Sequence, residues 1–246
     1  CLKLPVTSAQ VNIAQLAKKG SVEEIARNAR LGFLFNLAKK IKADKIALGH
    51  NFDDQAETVL MRIIRGAGLY GLSAILPKRE IAGYQIIRPL IEIRRKEIEA
   101  FLKSKKIIPR RDISNTQDIY LRNRIRNKLL PLLEKEYNKN IKEVLVNFAE
   151  SAGFDYDYLI RSAYRKAGKI GKSINLDKLS GFHPSMRRLI LRLAISGLKG
   201  DTRAIDFRHI KEIEDLILSR PLNSVVDLPK GISVIKHKKN LSFYRR

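Results

Sequence analysis

One histidine and three acids, His50, Asp53, Asp54 and Glu57, stand within eight residues of one another, just after the short apolar run Ile46-Ala47-Leu48 and Gly49. From Asp53 onward the apolar residues Ala56, Val59, Leu60, Ile63 and Ile64 recur at helical spacing, so the pattern is a strand feeding a helix. Open α/β sheets hold their ligands at such strand ends. Adjacent Asp53 and Asp54 diverge by about 100° on a helix, whereas Asp54 and Glu57, three apart, share a face. A pair of carboxylates suits Mg²⁺, which takes such oxygens together with water and nucleotide phosphates. A plainer role fits the same positions: an acid at a helix N-terminus caps backbone N–H groups and meets the dipole. His50 offers a hydrogen bond to a phosphate or a developing oxyanion, although a purely structural histidine carries the same signature.

Three arginine groups complete the chemistry-bearing set. Arg122 and Arg126, in Arg122-Asn123-Arg124-Ile125-Arg126, stand four apart and form one basic edge of a helix, with Arg124 about 160° from its middle. Such a helix presents guanidinium groups to two partners, a nucleotide phosphate and an RNA backbone for instance, or is simply a solvated basic face. Arg27 and Arg30 form a second pair, three apart. Third, Arg94, Arg95, Lys96, Lys103, Lys105, Lys106, Arg110 and Arg111 crowd eighteen positions around two acids, a density suited to salt-dependent phosphate contacts. The glycines of Arg65-Gly66-Ala67-Gly68-Leu69-Tyr70-Gly71-Leu72 permit close approach of a ligand, and Arg65 at a helix end also suits the last carbonyls. That motif is neither GxGxxG after a strand nor a GxxxxGK[ST] loop, which argues against a dinucleotide site or a Walker-type ATPase.

The elements that must position these residues follow from periodicity. Leu4 to Val11 has the pattern of a strand, and Ser21 with Glu24 forms a capping-box signature before a helix reaching about Lys42. Strand 46–48, helix 53–65, strand 84–88 ended by Pro89, and helix 94–105 come next. Residues 108–117 have loop character. A helix over 119–136 is then expected to kink or divide at Pro131. The β-α-β-α order predicts a Rossmann-like α/β fold with parallel strands and right-handed crossovers. From about Asn138 the character changes to helices near 140–167, 184–197 and 206–218, then strand-like runs at 224–228, 232–236 and 241–244 around the Pro229-Lys230-Gly231 turn. Two domains are therefore expected: 1–135, α/β, and 136–246, smaller and mostly helical with a C-terminal β-hairpin.

A formal charge of +24, from 49 Lys and Arg against 25 Asp and Glu, points to a polyanionic partner, nucleic acid first of all. The excess is shared: 26 basic and 13 acidic residues precede Lys135, with 23 and 12 from there on. Cys1 is the only cysteine, which excludes an internal disulfide or a cysteine-based metal site. No apolar stretch approaches the roughly 20 residues of a membrane span, and no signal-peptide pattern opens the chain, so a soluble, cytoplasmic protein is expected.

Taken in order, Arg27/Arg30, GHNFDDQAET, RGAGLYGL, IIRPL, DISN and RNRIRNKLLPLL resemble the tRNA(Ile)-lysidine synthetases, members of the N-type ATP pyrophosphatase (PP-loop) superfamily. The resemblance is most specific from Lys45 to Leu133 and looser from there to Arg246. It implies that ATP adenylates C2 of the wobble cytidine in a tRNA(Ile) with a CAU anticodon. Free lysine then displaces AMP, giving lysidine, AMP and pyrophosphate. Carried over by motif, Asp54, Arg30 and Arg122 are catalytic, with Asp54 also suited to take the amine proton. His50, Asp53, Glu57, Arg27 and Arg65 line the nucleotide or lysine pocket, and Asp54 with Glu57 holds Mg²⁺. Arg94, Arg95, Arg110, Arg111, Asn123, Arg124 and Arg126 are assigned to RNA.

The SGGxDS phosphate loop of that family does not occur in these 246 residues. One or two βα units, roughly 30–60 residues, are expected to precede Cys1, and the chain by itself is expected not to complete catalysis. Two alternatives share the charge and the acids: a PP-loop tRNA thiolation enzyme, disfavoured by the lack of internal cysteines, and a non-catalytic RNA-binding module, disfavoured by the retained acids. The pattern is silent on assembly, with which a homodimer is compatible.

Overall fold

In the computed structural model the described residues are 4–12, 22–110, 120–168, 170–200, 202 and 204–245. Two compact units divide the chain, Cys1–Ser151 and Ala152–Arg246.

The first unit builds α1 (Val22–Lys40), β1 (Lys45–Ala47), α2 (Phe52–Ile64), a single turn α3 (Leu69–Leu72), β2 (Lys78–Ile81), β3 (Tyr84–Ile87) and α4 (Arg95–Ser104). After the undescribed segment 111–119 come α5 (Leu121–Arg124), a π-helical turn Ile125–Leu129, α6 (Leu130–Glu136) and the start of α7 (Ile141–Ala167). β1 and β3 run parallel, Ile46 opposite Ile86, as a strand-helix-strand crossover requires. Ile46 and Ile86 are buried with Ala38 under Leu34 and Phe35 of α1, and the Phe35 ring stacks on Tyr84 at 5.6 Å.

Three features depart from expectation. Leu4 to Val11 forms no strand: Leu4 and Val6 are 68% and 90% exposed, and the apolar alternation has no partner ladder among the described residues. The sheet is mixed rather than wholly parallel, because β2, unforeseen in the sequence, pairs antiparallel with β3. Lys78-Arg79-Glu80-Ile81 is polar on both faces, as edge strands often are, and it is defined by the two-residue Ala82-Gly83 hairpin turn with both φ positive, 52° and 80°. Finally, the expected disturbance near Pro131 takes the form of the π turn, closed by a bond from Leu130 N–H to the Ile125 carbonyl. Ser21 and the DISN segment lie outside the described residues.

The second unit contains the rest of α7, then β4 (Ser173–Asn175), α8 (Leu176–Ser180), α9 (Pro184–Lys199), α10 (Phe207–Leu218), β5 (Val225–Leu228), β6 (Ile232–Lys236) and β7 (Asn240–Arg245). Its four-stranded sheet has the order β4-β7-β6-β5, antiparallel throughout. Helices α9 and α10 bury Ile190, Leu191, Ile195, Ile210, Ile213 and Leu216 in one core with Val234 and Phe243 of that sheet. Within it Glu214, 3% exposed, pairs with Arg187 and Arg188 at 3.2 and 3.0 Å.

Ile86 is fully buried on β3, which pairs parallel with the strand whose end bears the candidate site. Ile86→Ala should therefore cost about 3 kcal/mol, read as a lower urea midpoint with an unchanged denaturant slope.

Candidate functional site

The site is built where β1 ends. Leu48 N–H bonds the Ile87 carbonyl at 2.9 Å, and the chain then turns through Gly49 and His50 into α2. Asn51 is the N-cap: its side chain accepts from Asp54 N–H at 2.9 Å, while Asp54 Oδ2 accepts from Asn51 N–H at 3.0 Å, a reciprocal capping box. Both the plain and the chemical expectation thus meet in Asp54. Capping occupies Oδ2 and leaves Oδ1 to Arg122 and Arg126.

One helical turn on, Glu57 is 1% exposed, deeper than a carboxylate stays without cationic partners. Its partners come from α5 and the π turn. Arg122 Nε bonds Glu57 Oε2 at 2.9 Å and its Nη2 bonds Asp54 Oδ1 at 3.0 Å. Arg126 Nε bonds Glu57 Oε1 at 2.5 Å, and its Nη2 reaches both Glu57 Oε2 at 2.8 Å and Asp54 Oδ1 at 3.0 Å. Burial works against the charge on Arg126, but its bonds to Glu57 and the charges of Glu57, Asp54 and Asp53 outweigh it, and its pKa is raised. The Arg95 guanidinium lies 3.9 Å from Asp54 Oδ1.

Asp53 faces another way. Its Oδ2 accepts the backbone N–H of Arg95 at 2.8 Å, capping the first turn of α4, and its Oδ1 lies 3.2 Å from Lys142 Nζ, which also meets Glu134 at 3.1 Å. Burial alone would raise the Asp53 pKa; the Arg95 N–H and Lys142 more than reverse it. Burial likewise opposes the Lys142 charge, while Glu134 and Asp53 raise its pKa overall. Lys142 carried no local motif, and only the fold brings it to Asp53.

His50 stands beside this cluster with a buried Nδ1 that has no hydrogen-bond partner among the described residues. Burial is the main cause of its pKa falling from 6.5 to about 4, with Arg88, Arg122 and Arg30 assisting and Asp54 opposing. The imidazole is therefore neutral at physiological pH.

The remaining expected residues distribute as follows. Arg30, exposed on α1, acts on His50, and Arg27 and Arg65 act on Arg62. Arg94 pairs with Glu143 at 2.9 Å and lies over the Phe52 ring at 4.7 Å. Asn123 is 7% exposed, and Arg110 and Arg124 are exposed. Arg126, assigned with them to RNA, has its guanidinium on Glu57 and Asp54. Arg111 lies outside the described residues.

As a cation site the carboxylates fit poorly. The Asp54 and Glu57 oxygens already hold guanidinium or backbone donors, and the described residues contain no group of three or more His, Cys, Asp or Glu that could hold a metal ion. What the arrangement does provide is a set of fixed guanidinium groups beside a neutral imidazole, at the carboxyl end of a parallel strand pair. No helix of the described residues is long and apolar enough to cross a membrane.

Two segments of the chain match known domains. Residues 1–133 match the PP-loop domain, and residues 174–232 match the TilS substrate binding domain. A tRNA(Ile)-lysidine synthase of Clostridioides difficile is 38% identical over 90% of this chain and 49% of its own length. Those of Caldanaerobacter subterraneus and Geobacter sulfurreducens are each 36% identical, over 98% and 99% of this chain and 52% and 53% of theirs. The chain spans about half the length of these curated relatives.

Two outcomes test the site. Glu57→Gln removes the buried charge that offsets two half-buried guanidinium groups and should destabilise the protein by about 3 kcal/mol in urea titration. Followed by NMR, the His50 imidazole should stay neutral down to a midpoint of about 4. Since the unfolded chain takes up this proton near 6.5 and the folded chain does not, the His50 contribution to stability falls as pH drops from 6.5 to 4. Replacing His50 by Gln should flatten the acid limb of the stability curve over that window.

Proposed function

This chain belongs to the PP-loop domain family, and on that footing we propose that it serves ATP-dependent ligation of lysine to C2 of the wobble cytidine in a tRNA(Ile) with a CAU anticodon. The products are lysidine, AMP and pyrophosphate. The observation that carries this reading is the clamp of Arg122 and Arg126 on Asp54 and Glu57 at the strand end. Its support from relatives is that three proteins 36–38% identical to this chain are named tRNA(Ile)-lysidine synthases.

The chemistry suits the residues. In the first step the cytidine O2 attacks the α-phosphorus of ATP and pyrophosphate leaves, so negative charge spreads over the transferring phosphoryl group. Guanidinium groups held in place beforehand stabilise that charge without reorganising as it forms. Arg122 is fixed by two carboxylates, and Arg30 adds a cation close enough to act on His50. In the second step a lysine amine attacks C2 and AMP leaves with the electron pair of the C2–O bond. The attacking amine must be neutral, and uncharged His50 keeps one more cation away from it while leaving Nδ1 open to a hydrogen bond. Asp54 takes the amine proton on Oδ1 as Arg122 or Arg126 shifts from that oxygen to the departing AMP phosphate. Mg²⁺ would arrive on the nucleotide phosphates, since the carboxylates as arranged hold no room for a resident ion; no step here runs through it.

Residues 1–135 would carry this chemistry, Arg27, Arg65 and Asp53 lining the pocket, while 136–246 contacts tRNA, which accords with the substrate binding domain matched at 174–232. The Arg94, Arg95, Arg110, Arg111 and Arg124 cations would meet the RNA backbone.

In the full-length protein, Asp54→Asn should abolish AMP release in the presence of ATP, lysine and tRNA(Ile). Asparagine keeps a side-chain oxygen for the cap, so tRNA affinity should stay within about twofold by filter binding. Equal loss of both would assign Asp54 to the scaffold and remove it from the reaction.

A further inference from the structure

A second group of arginines lies in the first unit, apart from the carboxylates. Arg62 on α2 donates through Nη1 to the Gly71 carbonyl, and Arg88, just after β3, donates through Nη1 to the Leu76 carbonyl at 2.5 Å. Both are braced by neutral backbone oxygens, so no carboxylate offsets their charge in these bonds as Glu57 and Asp54 offset those of Arg122 and Arg126. Arg88 Nε is buried and has no acceptor among the described residues. An N–H in that position costs free energy unless a ligand oxygen meets it.

The neighbours sharpen the point. Burial first, then the charges of Arg27, Arg79 and Arg65, lower the pKa of Arg62, with Tyr70 opposing. Burial first, then Arg79 and Arg27, lower that of Arg88. Cations from α1, α2, the β2 edge and the end of β3 thus crowd one another, a configuration that a bound polyanion relieves. Exposed Tyr70, at 43%, stands among them.

We propose that Arg62, Arg79 and Arg88, with Tyr70 beside them, form a contact surface for single-stranded RNA, the guanidinium groups following successive phosphodiesters and the tyrosine ring stacking on a base. An open surface with exposed Arg79 suits a polymer backbone, and an aromatic ring between arginines suits unpaired bases. The proposal rests on the preceding reading only in taking RNA as the partner. It adds the place where the strand is held and extends the RNA-facing surface beyond the basic segment 94–111.

The test is fluorescence anisotropy of a labelled single-stranded oligoribonucleotide against the whole chain over a salt series, with binding of a fluorescent ATP analogue as the second arm. Arg79→Ala should lower the slope of log K against log salt by about 0.7, and adding Arg88→Lys should weaken binding further. Tyr70→Ala should weaken binding about tenfold at every salt concentration, and Tyr70→Phe should restore it. ATP affinity should be unchanged in all four variants. An unchanged salt slope in Arg79→Ala overturns the proposal, as does a loss of ATP affinity with RNA affinity intact, which would make the anion a nucleotide. Should these RNA effects appear while the full-length protein releases no AMP with lysine and tRNA, the RNA surface stands and the ligase reading falls.

Discussion

The buried carboxylate of Glu57 is the constraint on which the first unit depends. A carboxylate at 1% exposure is tolerable only if cations reach both oxygens, and Arg122 and Arg126 do so from a different stretch of chain. The same two arginines share Asp54 Oδ1, whose partner oxygen is committed to the Asn51 cap. One ion cluster therefore fixes the start of α2, the angle of α5 and the direction of three charged groups. Hydrophobic contacts close the space beneath it, where Ala56 and Val59 of α2 meet Ile125 and Leu130. Removing the acid would leave guanidinium groups as unsatisfied as the acid would be without them.

Pro131 accounts for the break in the helix that carries the two arginines. Lacking an N–H, it cannot close the helical bond to the carbonyl four residues back, and the ladder is already shifted one residue earlier, where Leu130 N–H reaches Ile125. A π turn takes in one residue more than an α turn, and such turns recur at functional sites. Here it leaves Asn123 and Ile125 buried, Arg124 exposed, and both Arg122 and Arg126 on the acids.

How much of this was legible in the residues depends on how local each signal is. The helices could be read because their apolar stripes repeat every three or four residues, and the Asp54–Glu57 face followed from spacing alone. β2 could not, since Lys78-Arg79-Glu80-Ile81 has no apolar alternation and exists only because β3 offers it a ladder across Ala82-Gly83. The strand pattern of Leu4 to Val11 misled for the converse reason: alternation without a partner makes no sheet. Lys142 and the second arginine group are products of tertiary proximity. Arg88 had one faint signal, a single cation at the end of an apolar strand just before a proline, within IIRPL.

The arginine charges of the first unit are sorted by what braces them. Where carboxylates hold the guanidinium groups, as at Arg122 and Arg126, the cluster is close to neutral and its geometry is rigid; where carbonyls hold them, as at Arg62 and Arg88, the charge stays available to a ligand. His50 feels both Arg88 and Arg122 and carries no charge. Its neutrality is imposed first by burial and then by cations on either side, so an incoming anion that offset those cations would ease its protonation. Ligand charge and imidazole state are in this way coupled through space, with the sign fixed: filling the arginine group with phosphate raises the His50 pKa from its low resting value.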